Sequence, residues 1–102
     1  MPVVDRHICR VLNGRWDDVL ALEKRWDALE ARLGGFPPKR RYRQLFGGLG
    51  WSTWVWERQW ESVEALSAAV ERENADPESA ALSAPWEGLT ENIANELYEV
   101  LP

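Results

Sequence analysis

The chain is short of the side chains that carry most metal and thiol chemistry, with one cysteine, Cys9, and one histidine, His7, in 102 residues. A lone cysteine rules out an internal disulfide framework, and one histidine with one cysteine cannot furnish the common zinc ligand sets. No bound metal or cofactor is expected. Long apolar runs are missing as well. Nothing approaches the roughly 20 residues needed to span a bilayer, and Asp5, Arg6 and Arg10 break up any secretory apolar stretch near the start. A cytoplasmic protein with no membrane span is expected. Positive charge is in deficit too, since 12 Lys and Arg against 17 Asp and Glu leave a net charge of -5. That balance opposes nucleic-acid binding unless the basic residues cluster tightly.

What the chain does have is aromatic bulk. An apolar fraction of 45% with 28% charged residues suits one compact domain spanning residues 1 to 102. Seven residues are tryptophan, and Trp51, Trp54, Trp56 and Trp60 fall close together. Each can bury roughly 150 to 250 Å², so this one segment can supply a large share of a core or a pocket.

Residues 3 to 12 are rich in β-branched side chains and end at Asn13-Gly14, which reads as a strand and a turn. From Trp16 the apolar positions Val19, Leu22, Trp26, Leu29 and Leu33 follow the spacing of an amphipathic helix, with Glu23, Asp27 and Glu30 off that stripe. Gly34-Gly35 ends the helix. Pro37-Pro38 forces an extended entry into residues 39 to 46, and Gly47, Gly48 and Gly50 turn the chain into residues 51 to 60, a hairpin. Ser62 is a good N-cap for a second helix with Val63, Leu66, Ala69 and Val70 on one face. This helix ends near Asn74, and Asp76 caps a further short turn. In the tail, Trp86, Leu89, Ile93, Leu97 and Leu101 fit a helical period about as well as residues 95 to 101 fit a strand. A strand over residues 94 to 101 completes the order β-α-β-β-α-β of a ferredoxin-like α+β fold.

The stretch WVWERQWESVEALSAAVERENADPE, residues 54 to 78, resembles the NIPSNAP-like members of the dimeric α+β barrel superfamily. There an aromatic strand ending in Trp-Glu is followed by a serine-capped helix and an Ala-Asp-Pro-Glu close. Residues 6 to 35 and 96 to 101 fit the same plan. The resemblance implies a ferredoxin-like unit that pairs its sheet with a second copy's. Members of the superfamily include cofactor-independent oxygenases, heme-degrading monooxygenases and proteins of unassigned role. In the heme-degrading members a tryptophan ending strand 3 lines the pocket, and Trp60 matches it. His7 stands at the position of their strand 1 asparagine, and their helix 2 heme ligand has no counterpart, because His7 is the only histidine.

Candidate site residues follow from strand alternation. Trp54, Trp56, Arg58 and Trp60 share one face of the third strand, with Thr53, Val55, Glu57 and Gln59 on the other. Three indoles and a guanidinium make either a packed core or a ligand-binding pocket for a flat, apolar or acidic aromatic molecule. The resemblance turns this face toward the helices and brings His7 to the same space. There His7 and Trp60 are the candidate catalytic residues, His7 as a base, or else a hydrogen-bonded strand histidine. Cys9 reads as a small buried hydrophobe. Lys39, Arg40, Arg41 and Arg43 read as a solvated sheet edge that discourages strand pairing, or as an attractor for a ligand anion. The glycines at 47 to 50 lead into a strand rather than a helix N-terminus, so they read as a turn and not a phosphate cradle. Three readings of function follow: a homodimeric binding module for a small molecule, a cofactor-independent oxygenase acting on an aromatic or quinol-type substrate, and, set behind these for want of the helix 2 ligand, a heme-degrading monooxygenase.

Overall fold

The computed structural model describes residues 1 to 102. Strand β1 (Val3–Val11) leads through a single 3-10 turn, Leu12–Gly14, into helix α1 (Trp16–Leu33). The hairpin β2 (Lys39–Arg43) and β3 (Thr53–Trp60) follows, then α2 (Val63–Ala75), α3 (Pro77–Ser83), α4 (Trp86–Leu89) and β4 (Thr90–Glu99). The strands form one antiparallel sheet in the order β2-β3-β1-β4. This is the ferredoxin-like α+β arrangement expected from the sequence. No helix is long and apolar enough to cross a membrane.

Local chemistry explains the boundaries. Gly34 and Gly35 adopt φ of 75° and 83°, a region that disfavours a Cβ, and they swing the chain from α1 into Pro37-Pro38. The Ser62 hydroxyl accepts from the Ala65 amide at the start of α2, and an Asp76 carboxylate oxygen accepts from the Glu78 amide at the start of α3. Both caps fall where the sequence places them. The hairpin strands are shorter than expected. Beyond Arg43 the Gln44 side-chain oxygen accepts from the amides of Leu49 and Gly50, so a side chain replaces the ladder and Trp51 lies outside the strand. β4 begins earlier than residue 94, at Thr90, and crosses a register shift opposite Ile8 and Cys9.

All helices lie on one face of the sheet, and the molecule measures 37 × 36 × 17 Å, the thickness of two layers. The core between these layers is split. Val11, Val19, Leu22, Trp26, Leu29, Trp54, Leu82 and Leu89 form one cluster, and Val3, Trp60 and Ala69 form another. A cavity occupies the gap between them.

Candidate functional site

The cavity has a volume of about 640 Å³, well within the roughly 300 to 1,000 Å³ of small-molecule sites. Its floor is the inner face of the sheet: Asp5, His7 and Cys9 from β1, Lys39 from β2, and Trp54, Trp56, Arg58 and Trp60 from β3. Helix α1 contributes Glu23, Trp26 and Glu30, and α2 contributes Leu66, Ser67, Val70 and Glu73. Phe36, Trp86 and Thr90 complete the wall. His7, Trp54, Trp56, Arg58 and Trp60, the candidates from the sequence, therefore border one space, while of the basic run only Lys39 does.

Their adjacencies differ from expectation in one respect. Antiparallel register pairs His7 with Trp56, whereas Trp60 pairs with Val3. Trp60 is four residues along β3 from the partner of His7, about 13 Å at the rise of a strand. The imidazole stacks on the Trp56 indole at 3.9 Å with planes 6° apart, and Trp60 instead meets Phe36 edge-on at 5.9 Å. His7 Nε2 lies 2.9 Å from Asp5 Oδ1. With the carboxylate as acceptor, Nε2 carries the proton and a neutral ring keeps its lone pair on Nδ1. Asp5 escaped the sequence reading, although its spacing of two from His7 on a strand was the signal. Cys9 is an unfavourable nucleophile, because burial and the charge of Glu23 push its thiol up to about 11.

Across the β1–β3 ladder from Asp5, whose register partner is Arg58, the cavity is ionic. Arg58, with a side chain only 4% exposed, donates from Nη2 to Glu30 Oε1 at 2.7 Å and from Nη1 to Glu30 Oε2 at 3.4 Å. Its guanidinium carbon sits 5.3 to 5.8 Å from the rings of Phe36, Trp60 and Trp56. The question the sequence raised about a cation among indoles thus resolves to a carboxylate and aromatic faces together.

The basic run is not the solvated edge it resembles. Lys39, Arg41 and Arg43 turn toward α1 while Arg40 is exposed, because alternate residues of a strand face opposite ways. Lys39 Nζ reaches Glu23 at 3.1 Å and lies 4.4 Å from the Trp56 ring centroid. Arg41 pairs with both Glu23 and Asp27, and Arg43 covers the Trp16 ring. Glu23 and Glu30, expected off the buried stripe of α1, are buried beside Trp26 because Lys39 and Arg41 neutralise the first and Arg58 the second.

Glu73 stands opposite Glu30 without a cation of its own. Burial, and then the facing Glu30 carboxyl, push Glu73 up to about 7. Burial acts on Glu30 the same way, yet hydrogen bonds from Arg58 and Glu73 outweigh it and hold Glu30 below the usual carboxylate range. Five buried polar atoms lack any hydrogen-bond partner in the protein: Nε1 of Trp26, Trp54 and Trp60, Nε of Arg58 and Oε2 of Glu73. All five belong to cavity residues. No group of three or more His, Cys, Asp or Glu side chains is placed to hold a metal ion.

No family model matches the chain, and no curated protein matches it. Solved structures do. A NIPSNAP family protein from Agrobacterium tumefaciens is similar over 100% of this chain and 93% of its own, with 19% identity and a TM-score of 0.78. An uncharacterized NIPSNAP-like domain protein from Burkholderia xenovorans covers 98% of this chain and 85% of its own, with 14% identity and a TM-score of 0.81. SnoaB, a cofactor-independent oxygenase from Streptomyces nogalater, covers 99% and 94%, with 18% identity and a TM-score of 0.75. The resemblance carried by residues 54 to 78 is thus met at the level of structure: this chain has the ferredoxin-like α+β fold shared by NIPSNAP proteins and SnoaB.

Proposed function

We propose that this is a NIPSNAP-like, homodimeric small-molecule-binding protein whose cavity receives a flat, apolar or acidic aromatic molecule. The observation that carries the reading is the split core. A small domain that needed its tryptophans only for packing would close the gap, since a void forfeits dispersion contacts and destabilises the fold. Here three indoles of one strand border about 640 Å³ instead. Titration with 1,4-dihydroxynaphthalene under argon should quench tryptophan fluorescence saturably in the micromolar range. A linear, unsaturable change would overturn the reading.

The Asp5–His7 pair favours a second reading, a cofactor-independent oxygenase. The Nδ1 lone pair would accept a proton from an acidic aromatic substrate held against Trp56, with Trp60 farther along the wall. The substrate then supplies all four electrons: one atom of dioxygen is inserted into the ring and the other leaves as water, which turns 1,4-dihydroxynaphthalene into 2-hydroxy-1,4-naphthoquinone. SnoaB, of the same fold, is described as such an oxygenase, which supports this reading by fold alone. Oxygen uptake with 1,4-dihydroxynaphthalene above the uncatalysed rate is expected. His7→Ala should lower it by roughly 100-fold, in the range for a lost general base. A variant as fast as the parent would leave only binding.

A further inference from the structure

Four of the five unpartnered polar atoms around the cavity are N–H donors, and one is a carboxyl oxygen. A ligand that relieves the donors carries acceptor atoms, because a buried donor left unpaired keeps the full cost of its desolvation. Arg58 contributes Nε, the edge of its guanidinium that Glu30 does not use. A group with two oxygens and negative charge suits a guanidinium N–H better than a neutral acceptor does. Resting on the binding reading above, we propose that the cavity takes an aromatic carboxylate, its anion received by the Arg58 and indole N–H groups, and that Glu73 must hold a proton for it to enter.

The charges facing Glu73 make its proton decisive. From β1 come Asp5 and His7, hydrogen-bonded to each other, and the Cys9 thiol. Glu30 from α1, Lys39 from β2 and Arg58 from β3 act on it directly, and Glu23 of α1 borders the same cavity. Lys39 is engaged by Glu23, and Arg58 by Glu30. The remaining wall residues of α4 and β4, Trp86 and Thr90, are uncharged. With Glu73 neutral, the anions on α1 are matched by their own cations, Asp5 beside Arg58 in register accepts from His7, and a ligand carboxylate meets a free Arg58 N–H. With Glu73 ionised, the ligand meets an unmatched carboxylate in a partly desolvated space, where like charges repel strongly. Because burial and Glu30 bring Glu73 to about 7, the change falls near neutral pH.

The test compares 2-naphthoate with its uncharged isostere 2-naphthamide by calorimetry from pH 5.5 to 8.5. Naphthoate affinity should fall about tenfold per pH unit above pH 7, with proton uptake approaching one per ligand when two buffers of different ionisation enthalpy are compared. Naphthamide affinity should change little. Glu73→Gln should flatten the naphthoate profile and keep the affinity seen in the parent at pH 6. Naphthoate binding without proton uptake in the parent overturns the proposal whether or not the variant folds. A fall that persists in Glu73→Gln belongs to another facing group, His7 first among them, and also overturns it. Binding of naphthamide with no binding of naphthoate at any pH leaves the cavity reading standing and removes this proposal. Failure of both ligands removes the cavity reading and the proposal together.

Discussion

At the scale of single residues, the inner face of β3 was legible because alternation leaves no choice. Once Trp54 is inside, Trp56, Arg58 and Trp60 are inside as well. The acidic half of the cavity was not legible. Glu23, Glu30 and Glu73 carry the look of solvated helix faces; cations on β2 and β3 bring in the first two, and Glu73 faces Glu30 without one. Glu73 also leaves a mark on stability. Its folded pKa of about 7 lies above the ordinary 4.5, so the folded state binds more protons than the unfolded one between these values. The stabilisation is complete below about 4.5 and is lost as pH rises through about 7. Relative to the parent, Glu73→Gln should therefore gain stability between pH 5 and pH 8. Because Glu73 is only partly buried, the gain should be modest, about 1 kcal/mol. Urea unfolding at the two pH values measures it, and an unchanged difference would show that Glu73 ionises freely in the fold.

At the scale of elements, α1 is the clamp between sheet and cavity. Val19, Leu22, Trp26 and Leu29 are buried on its inward stripe, and Trp26 also borders the cavity. Trp26→Ala should cost roughly 3 to 5 kcal/mol, as large aromatic truncations in cores do. A loss below about 1 kcal/mol in chemical denaturation would mean that the stripe is not seated on the sheet. Helix α2 is held more loosely, with Ala69 its only buried residue and Val70 40% exposed. The tail explains why periodicity alone left helix and strand open there. Every residue of β4 is exposed or half-buried, so no continuous apolar face announces its period. What makes it a strand is pairing along β1, from Val3 opposite Glu99 to Val11 opposite Thr90. That partner is far away in sequence and invisible to local pattern. The short helix Trp86–Leu89 before it buries Leu89 in the larger core cluster.

At the scale of the molecule, helices cover one face of the sheet and leave the other without a second layer. Half-buried Val4, Ile8, Val55 and Ala94 alternate there with the Arg6–Glu57 ion pair. The hairpin tip adds Phe46, 98% exposed, and Trp51, 72% exposed. A second copy of the chain on this face would bury these groups symmetrically, over an expected 1,200 to 2,000 Å² or more in total. Light scattering should report a dimer at micromolar concentration, and Val55→Lys should shift it toward monomer; a parent that is monomeric there would refute the assembly. The central claim, that the space between sheet and helices is a binding site, is tested most directly by the indole N–H resonances of the 15N-labelled protein titrated with 2-naphthamide. The Trp26, Trp54 and Trp60 signals should shift together and saturate, while that of Trp51 on the exposed hairpin stays in place. Shifts confined to Trp51, or none at all, would contradict it.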